Sequence, residues 1–179
     1  VREIAEKHGF VHARKHDSQD ICFVPDGDYA KFIEQYTGRK SIPGDFVDTE
    51  GNILGKHKGI IHYTLGQRRG LGIPAASRLY VCDISPKTNQ VVLGNNEDLF
   101  HSELTATKVN LISCESLKEP MRLKAKIRYR QPEQEGVAWQ TEDGVLHVRF
   151  DKPQRAITRG QAVVLYDGDI VVGGGVIEN

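Results

Sequence analysis

The sequence has no excess of charge of either sign, since 24 basic residues meet 24 acidic ones. No global field draws the chain to nucleic acid or to a membrane surface, so any such footprint has to be local. No apolar run approaches the roughly 20 residues of a membrane-spanning helix, and no signal peptide opens the chain. Cysteine is scarce: Cys22, Cys82 and Cys114 are an odd set of three with no C-x-x-C pair. That argues against a disulfide scaffold and a structural zinc site, and fits a reducing, cytoplasmic setting. Methionine occurs once, at Met121, and the first residue is Val1. A piece of a longer protein is expected, with processing as the other explanation. Neither G-x-x-x-x-G-K-[ST] nor G-x-G-x-x-G occurs, so no nucleotide-phosphate loop is legible. Internal repeats and low-complexity tracts are missing as well.

What remains is sufficient for a packed core: 39% of 179 residues are hydrophobic, enough for one ordinary domain or two small ones. Arg2 to Lys7 reads as the end of a helix stopped by Gly9, with Phe10 to Ala13 extended beyond it. His8, His12 and His16 are spaced for one helical face, but Gly9 breaks that helix, so no metal site is expected. Ile21 to Val24 reads as a short strand that turns Cys22 away from its apolar neighbours. Asp26 or Asp28 then caps a helix whose Tyr29, Phe32, Ile33 and Tyr36 form an apolar stripe, expected to be core, ending at Gly38. Asp45 to Asp48 and Ile53 to Gly55 flank a Glu50-Gly51-Asn52 turn and read as a hairpin.

His57 to Gly72 is dense in glycine and cations. It reads either as a tight loop needing positive φ or as a phosphate-receptive loop. His57 and His62 are candidate acid/base groups, though a structural hydrogen bond is the commoner use of such a histidine. Leu79 to Ile84 and Val91 to Gly94 pair as strands, with Cys82 expected buried mid-strand. Asn95 to Asp98 is the best domain boundary.

Beyond it the pattern is all-β. Arg122 to Arg130 alternates strictly, putting Arg122, Lys124, Lys126, Arg128 and Arg130 on one strand face. That face is either solvated and balanced by Glu133, Glu135, Glu142 and Asp143, or a track for an RNA backbone. Val137 to Gln140, Val145 to Phe150, Ala162 to Tyr166 and Ile170 to Val172 are further strands joined by Asp/Gly turns, as in a small antiparallel barrel. The expected fold is mainly β with short helices (α+β). Residues 1–25 hold the Cys22 motif, 26–97 form a small central α/β segment and 98–179 form the barrel.

Several stretches resemble one family in order along the chain. Asp17-Ser18-Gln19-Asp20-Ile21-Cys22-Phe23 is similar to the D-S-x-x-I-C-F signature of the tRNA-specific 2-thiouridylases. Gly55-Lys56-His57-Lys58-Gly59 and the stretch Thr64 to Gly72 resemble that family's G-x-H-x-G and T-[IL]-G-Q-R-[KR]-G-L-G. Lys126 to Gln131 resembles K-x-R-Y-R-Q, Gly160 to Tyr166 resembles G-Q-x-x-V-x-Y, and Gly173 to Ile177 resembles G-G-G-x-I.

The resemblance implies a sulfurtransferase that exchanges oxygen for sulfur on the wobble uridine of tRNA, with Cys22 as the persulfide carrier. It implies a barrel like the second domain of elongation factor Tu that grips tRNA through Arg128, Tyr129 and Gln161. It implies ATP with magnesium, used by an ATP-pyrophosphatase-like domain not in this chain, whose own cysteine forms a transient disulfide with Cys22. Expected partners are tRNA and a sulfur-transfer protein. No cofactor, metal or membrane is expected on this stretch, which by itself is expected to be inactive. Two other readings stay open: a stand-alone RNA-binding module, which needs no Cys22, and a thiol redox sensor, which needs no basic strand.

Overall fold

The computed structural model describes residues 2–14, 24 and 27–178, and the chain divides into two compact units, Val1–Ser41 and Ile42–Asn179. In the first unit, helix α1 spans Arg2–Lys7 and Gly9 follows at φ 69°. Residues 11–14 form turns rather than the expected extended run, with the Ala13 amide bonded to the Phe10 carbonyl at 3.0 Å. Of the expected strand Ile21 to Val24, only Val24 lies within the described residues; Asp26 lies outside them.

Helix α2 spans Tyr29–Thr37. Asp28 caps it by accepting from the Lys31 amide at 3.0 Å, and Gly38 ends it in the left-handed region. The apolar stripe is not the core face the spacing predicts. Ala30 is the one buried residue along the helix, whereas Tyr36 is 82% exposed and stacks against Phe32. Ile4, Phe10 and Val11 of the same unit are also exposed, so its described residues bury little apolar surface.

In the second unit, strands β1 (Gly44–Val47), β2 (Ile53–His57), β3 (Tyr80–Ser85) and β4 (Gln90–Gly94) form one sheet in the order β2-β1-β4-β3. The predicted hairpin is β1–β2, with Asp48 accepting from the amides of Glu50 and Asn52 to shape its turn. The pairing of β1 with β4 is parallel. Phe46, Val81, Val91 and Leu93 are buried on this sheet beside Tyr63.

Six strands close the barrel: β5 (Phe100–Leu111), β6 (Met121–Lys126), β7 (Gln134–Gln140), β8 (Leu146–Arg155), β9 (Ala162–Asp167) and β10 (Ile170–Ile177), in the order β10-β5-β8-β7-β6-β9. The period-2 pattern turns Leu123, Ala125, Ala138, Val148, Phe150 and Leu165 into one core. Strand β10 runs longer than its apolar stretch suggests, because it takes in Gly173-Gly174-Gly175. A Cβ on Gly174 would lie 2.2 Å from the Val163 carbonyl oxygen, so only glycine lets β9 approach there.

Candidate nucleic-acid interface

Strand β6 ends at Lys126, not at Arg130. Its ladder to β9 stops at Lys126–Val164, and residues 127–130 turn away, the Gln131 amide bonding the Arg128 carbonyl at 3.1 Å. A continuous track of five cations is therefore not what the fold builds. On the strand itself, Arg122 forks onto the Asp151 carboxylate and Lys124 lies 3.7 Å from Glu135. The neighbouring strands supply anions that relieve the repulsion, which leaves this face mostly solvated and balanced. Asp151 was not among the acids the sequence pointed to, because nothing local announces that β8 passes beside Arg122.

The turn after β6 has two jobs. Arg128 is half-buried, and one Nη donates to the Ala156 carbonyl at 2.7 Å and reaches the Thr158 hydroxyl at 3.5 Å. Gln131 donates to the Gln154 side chain at 2.7 Å, and Gln154 is itself 5% exposed. Both residues tie the turn to the end of β8 and the loop after it. Between them Tyr129 stands 93% exposed, with Arg130 exposed beside it. Such a tyrosine has no packing reason to be there, and an aromatic face in water suits a stacked base.

Gln161 lies at the far end of the loop that Arg128 bonds. Its amide bonds the Thr158 carbonyl at 3.3 Å, and its side chain is exposed just before β9. The loop 156–161 thus joins Arg128 to Gln161. It depends on Ala156, which holds a φ of 53° while being 1% exposed. A non-glycine residue there is strained, and three bonds hold it. The Ala156 amide donates to the Leu99 carbonyl at 2.7 Å, and its carbonyl takes both Arg128 and the Thr158 hydroxyl. No sequence signal marks Ala156 or Thr158.

The glycine-rich segment reaches this loop from the other sheet. A Cβ on Gly66, at φ 81°, would lie 3.2 Å from Arg155 and 3.4 Å from Ala156. Farther along, Arg68, Ser77 and Arg78 border a small concavity of about 240 Å³. The segment makes the tight turns expected of it, with positive φ at Gly59, Gly66, Gly70 and Gly72, and its Arg68 and Arg69 are exposed to solvent. His57 is structural. Buried at 2% exposure, its Nδ1 accepts from the Gly59 amide at 3.0 Å, so Nε2 carries the proton donated to the Asn89 carbonyl at 3.1 Å.

The cysteines divide. Cys22, with Lys15 and His16 before it, lies outside the described residues. Cys82 is half-buried rather than buried, because the β3–β4 register shifts between Val81 and Asp83 and turns the thiol toward the Tyr80 carbonyl, 3.4 Å away. Burial and then the Asp98 carboxylate push that thiol up to about 11, so it is a poor nucleophile near neutrality. Cys114 packs at the edge of the barrel core. Among the described residues no group of three or more His, Cys, Asp and Glu side chains could hold a metal ion, and no helix is long and apolar enough to cross a membrane.

Residues 30–95 match the tRNA methyl transferase PRC-barrel domain, and residues 101–177 match the aminomethyltransferase beta-barrel domain. A tRNA-specific 2-thiouridylase of Acetivibrio thermocellus is 57% identical over 178 residues, covering 99% of this chain and 50% of that protein. Those of Lachnoclostridium phytofermentans and Clostridioides difficile are 55% and 53% identical, each over 99% of this chain and 50% and 49% of their own lengths. The chain belongs to the tRNA-specific 2-thiouridylases and spans about half the length of the curated relatives it matches.

Proposed function

We propose that the whole protein transfers sulfur to the wobble uridine of tRNA, with Cys22 carrying the sulfur and the barrel holding the RNA through Tyr129, Gln161 and Arg128. The observation that carries the RNA half is the turn after β6, where the half-buried Arg128 and Gln131 hold an exposed Tyr129 and Arg128 bonds the loop that leads to Gln161. Arg128 supports that surface mainly by bonding the 156–158 loop, with its remaining N–H groups available to phosphate.

The sulfur half rests on the motif Asp17 to Phe23 and on the names of the relatives. A sulfur-transfer protein loads Cys22 as a persulfide. The terminal sulfur attacks the activated ring carbon; the carbon–sulfur bond forms as the carbon–oxygen bond to the leaving group breaks. A second cysteine, outside this chain, then displaces the new thio group from Cys22 as a thiolate attacks the sulfur–sulfur bond, leaving a disulfide with Cys22. The step needs a thiolate, and Cys82 does not meet that need. The sequence has no loop that fits ATP, so activation with ATP and magnesium is assigned to residues outside it.

The test is Cys22→Ser in the full-length protein. It is expected to bind tRNA as tightly as the wild type and to form no 2-thiouridine. Thiolation at the wild-type rate would remove Cys22 from the reaction.

A further inference from the structure

A cleft of about 570 Å³ opens between the four-stranded sheet and the barrel, a size that suits one small ligand. Ile157, Thr158 and Arg159 line it, and these residues belong to the loop that takes the Arg128 bond and the Gln161 amide. Any chain held at Tyr129 and Gln161 is therefore close to a concave space that those contacts do not fill.

The lining says what could enter. Leu65 and Ile84 give it apolar walls that suit a flat ring. Asp83 on β3 and Glu103 on β5 also border it, with the guanidinium of Arg159, the His101 ring and the Thr64 and Thr158 hydroxyls as the other polar groups. Two carboxylates repel a phosphate, and they accept hydrogen bonds without donating any. The ligand must bring N–H donors, an apolar ring face and at least one acceptor for Arg159. An aliphatic ammonium would satisfy the acids but leave the walls and Arg159 unused.

The geometry points to a subsite for one unpaired nucleobase of the bound tRNA, a base that carries an exocyclic amino group. This subsite rests on the tRNA reading above and adds base recognition to it. The ring lies between the apolar walls, the amino hydrogens go to Asp83 or Glu103, and Arg159 donates to a ring nitrogen or carbonyl. Uracil has no amino group and is the base the site accepts least. Reading a base by its edge while its face is stacked is how unpaired RNA is recognised in general.

The test pairs Asp83→Ala with Glu103→Ala in one double variant of the full-length protein, since an amide would keep a carbonyl oxygen able to accept from the amino group. Both positions are exposed, and an unchanged melting midpoint checks that the variant is folded. The expected sign is the useful part. Removing two negative charges should tighten tRNA binding if the cleft is unused, because repulsion falls. If the cleft holds a base, affinity falls instead, by roughly tenfold. Unchanged or tighter binding overturns the subsite and leaves the tRNA reading standing.

A second arm is independent of tRNA. Saturation-transfer NMR with cytidine should show contact with the wild type, none with the double variant, and a weaker response with uridine. A cytidine response that persists in the variant, or is absent from the wild type, overturns the subsite. Should the wild-type protein not bind tRNA at all, it is the tRNA reading that fails, and the cytidine arm alone decides the cleft.

Discussion

The Arg155 guanidinium lies 5.5 Å from the centroid of the Tyr80 ring, so the last residue of β8 in the barrel rests on β3 of the neighbouring sheet. Its Nε also donates to the Asn96 side chain at 3.2 Å. The next residue is Ala156, whose carbonyl anchors Arg128. One dipeptide thus fastens the two β-structures together and supports the exposed Tyr129.

Arg155→Ala removes the ring contact and one hydrogen bond. The expected cost is about 1 kcal/mol of stability, since the site is only partly desolvated. Urea unfolding measures it, with Arg155→Lys recovering part of the loss. Superimposable curves for wild type and Arg155→Ala would show that the contact holds nothing.

Tyr129 and Arg128 are neighbours with different duties, and two substitutions separate them. Tyr129→Ala should leave the melting midpoint unchanged and weaken tRNA binding by about 1–3 kcal/mol, the worth of a stacked base. Arg128→Ala should lower both stability, by about 1 kcal/mol, and tRNA affinity, because its bond to Ala156 is lost. The check is a thermal melt beside tRNA titrations at two salt concentrations. Equal effects of the two variants on both readouts would refute the division.

His57→Ala strands the Gly59 amide and the Asn89 carbonyl and opens a gap between Phe46 and Tyr63. Unsatisfied buried groups of this kind cost about 1–3 kcal/mol each. Chemical denaturation reads the loss, which should be insensitive to salt since no charge is removed.

The thiol of Cys82 offers a pH test. It is raised from 9.0 to about 11 in the folded protein, by burial first and by Asp98 next. The folded state therefore keeps a proton that the unfolded state releases. The stability this contributes is intact below pH 9 and is lost as pH rises from about 9 through 11. The difference in stability between wild type and Cys82→Ala, followed across that window, should change in that sense. Alkylation of Cys82 at neutral pH should also be much faster in urea than in the native state. A native rate equal to the denatured one would contradict the raised value.

The hairpins were legible because each is local. Alternating apolar residues around Glu50-Gly51-Asn52, Glu142-Asp143-Gly144 and Asp167-Gly168-Asp169 encode a strand, a turn and its return within about a dozen residues. The ordered motifs carried the family for the same reason: they are strings, and strings survive without coordinates. Tertiary structure decided the rest. Alternation runs on through Arg130, yet β6 stops at Lys126 because β9 no longer pairs with it, a fact held by residues some forty positions away. The stripe on α2 has helical spacing, but spacing alone does not decide burial, and Tyr36 stays in water. Arg128 reads as one more cation in a row, and becomes an anchor because the chain returns 28 residues later with the Ala156 carbonyl facing it. Ala156 itself has no side chain to announce its left-handed backbone; that conformation is imposed by bonds from Leu99, Thr158 and Arg128, which only the closed barrel brings together.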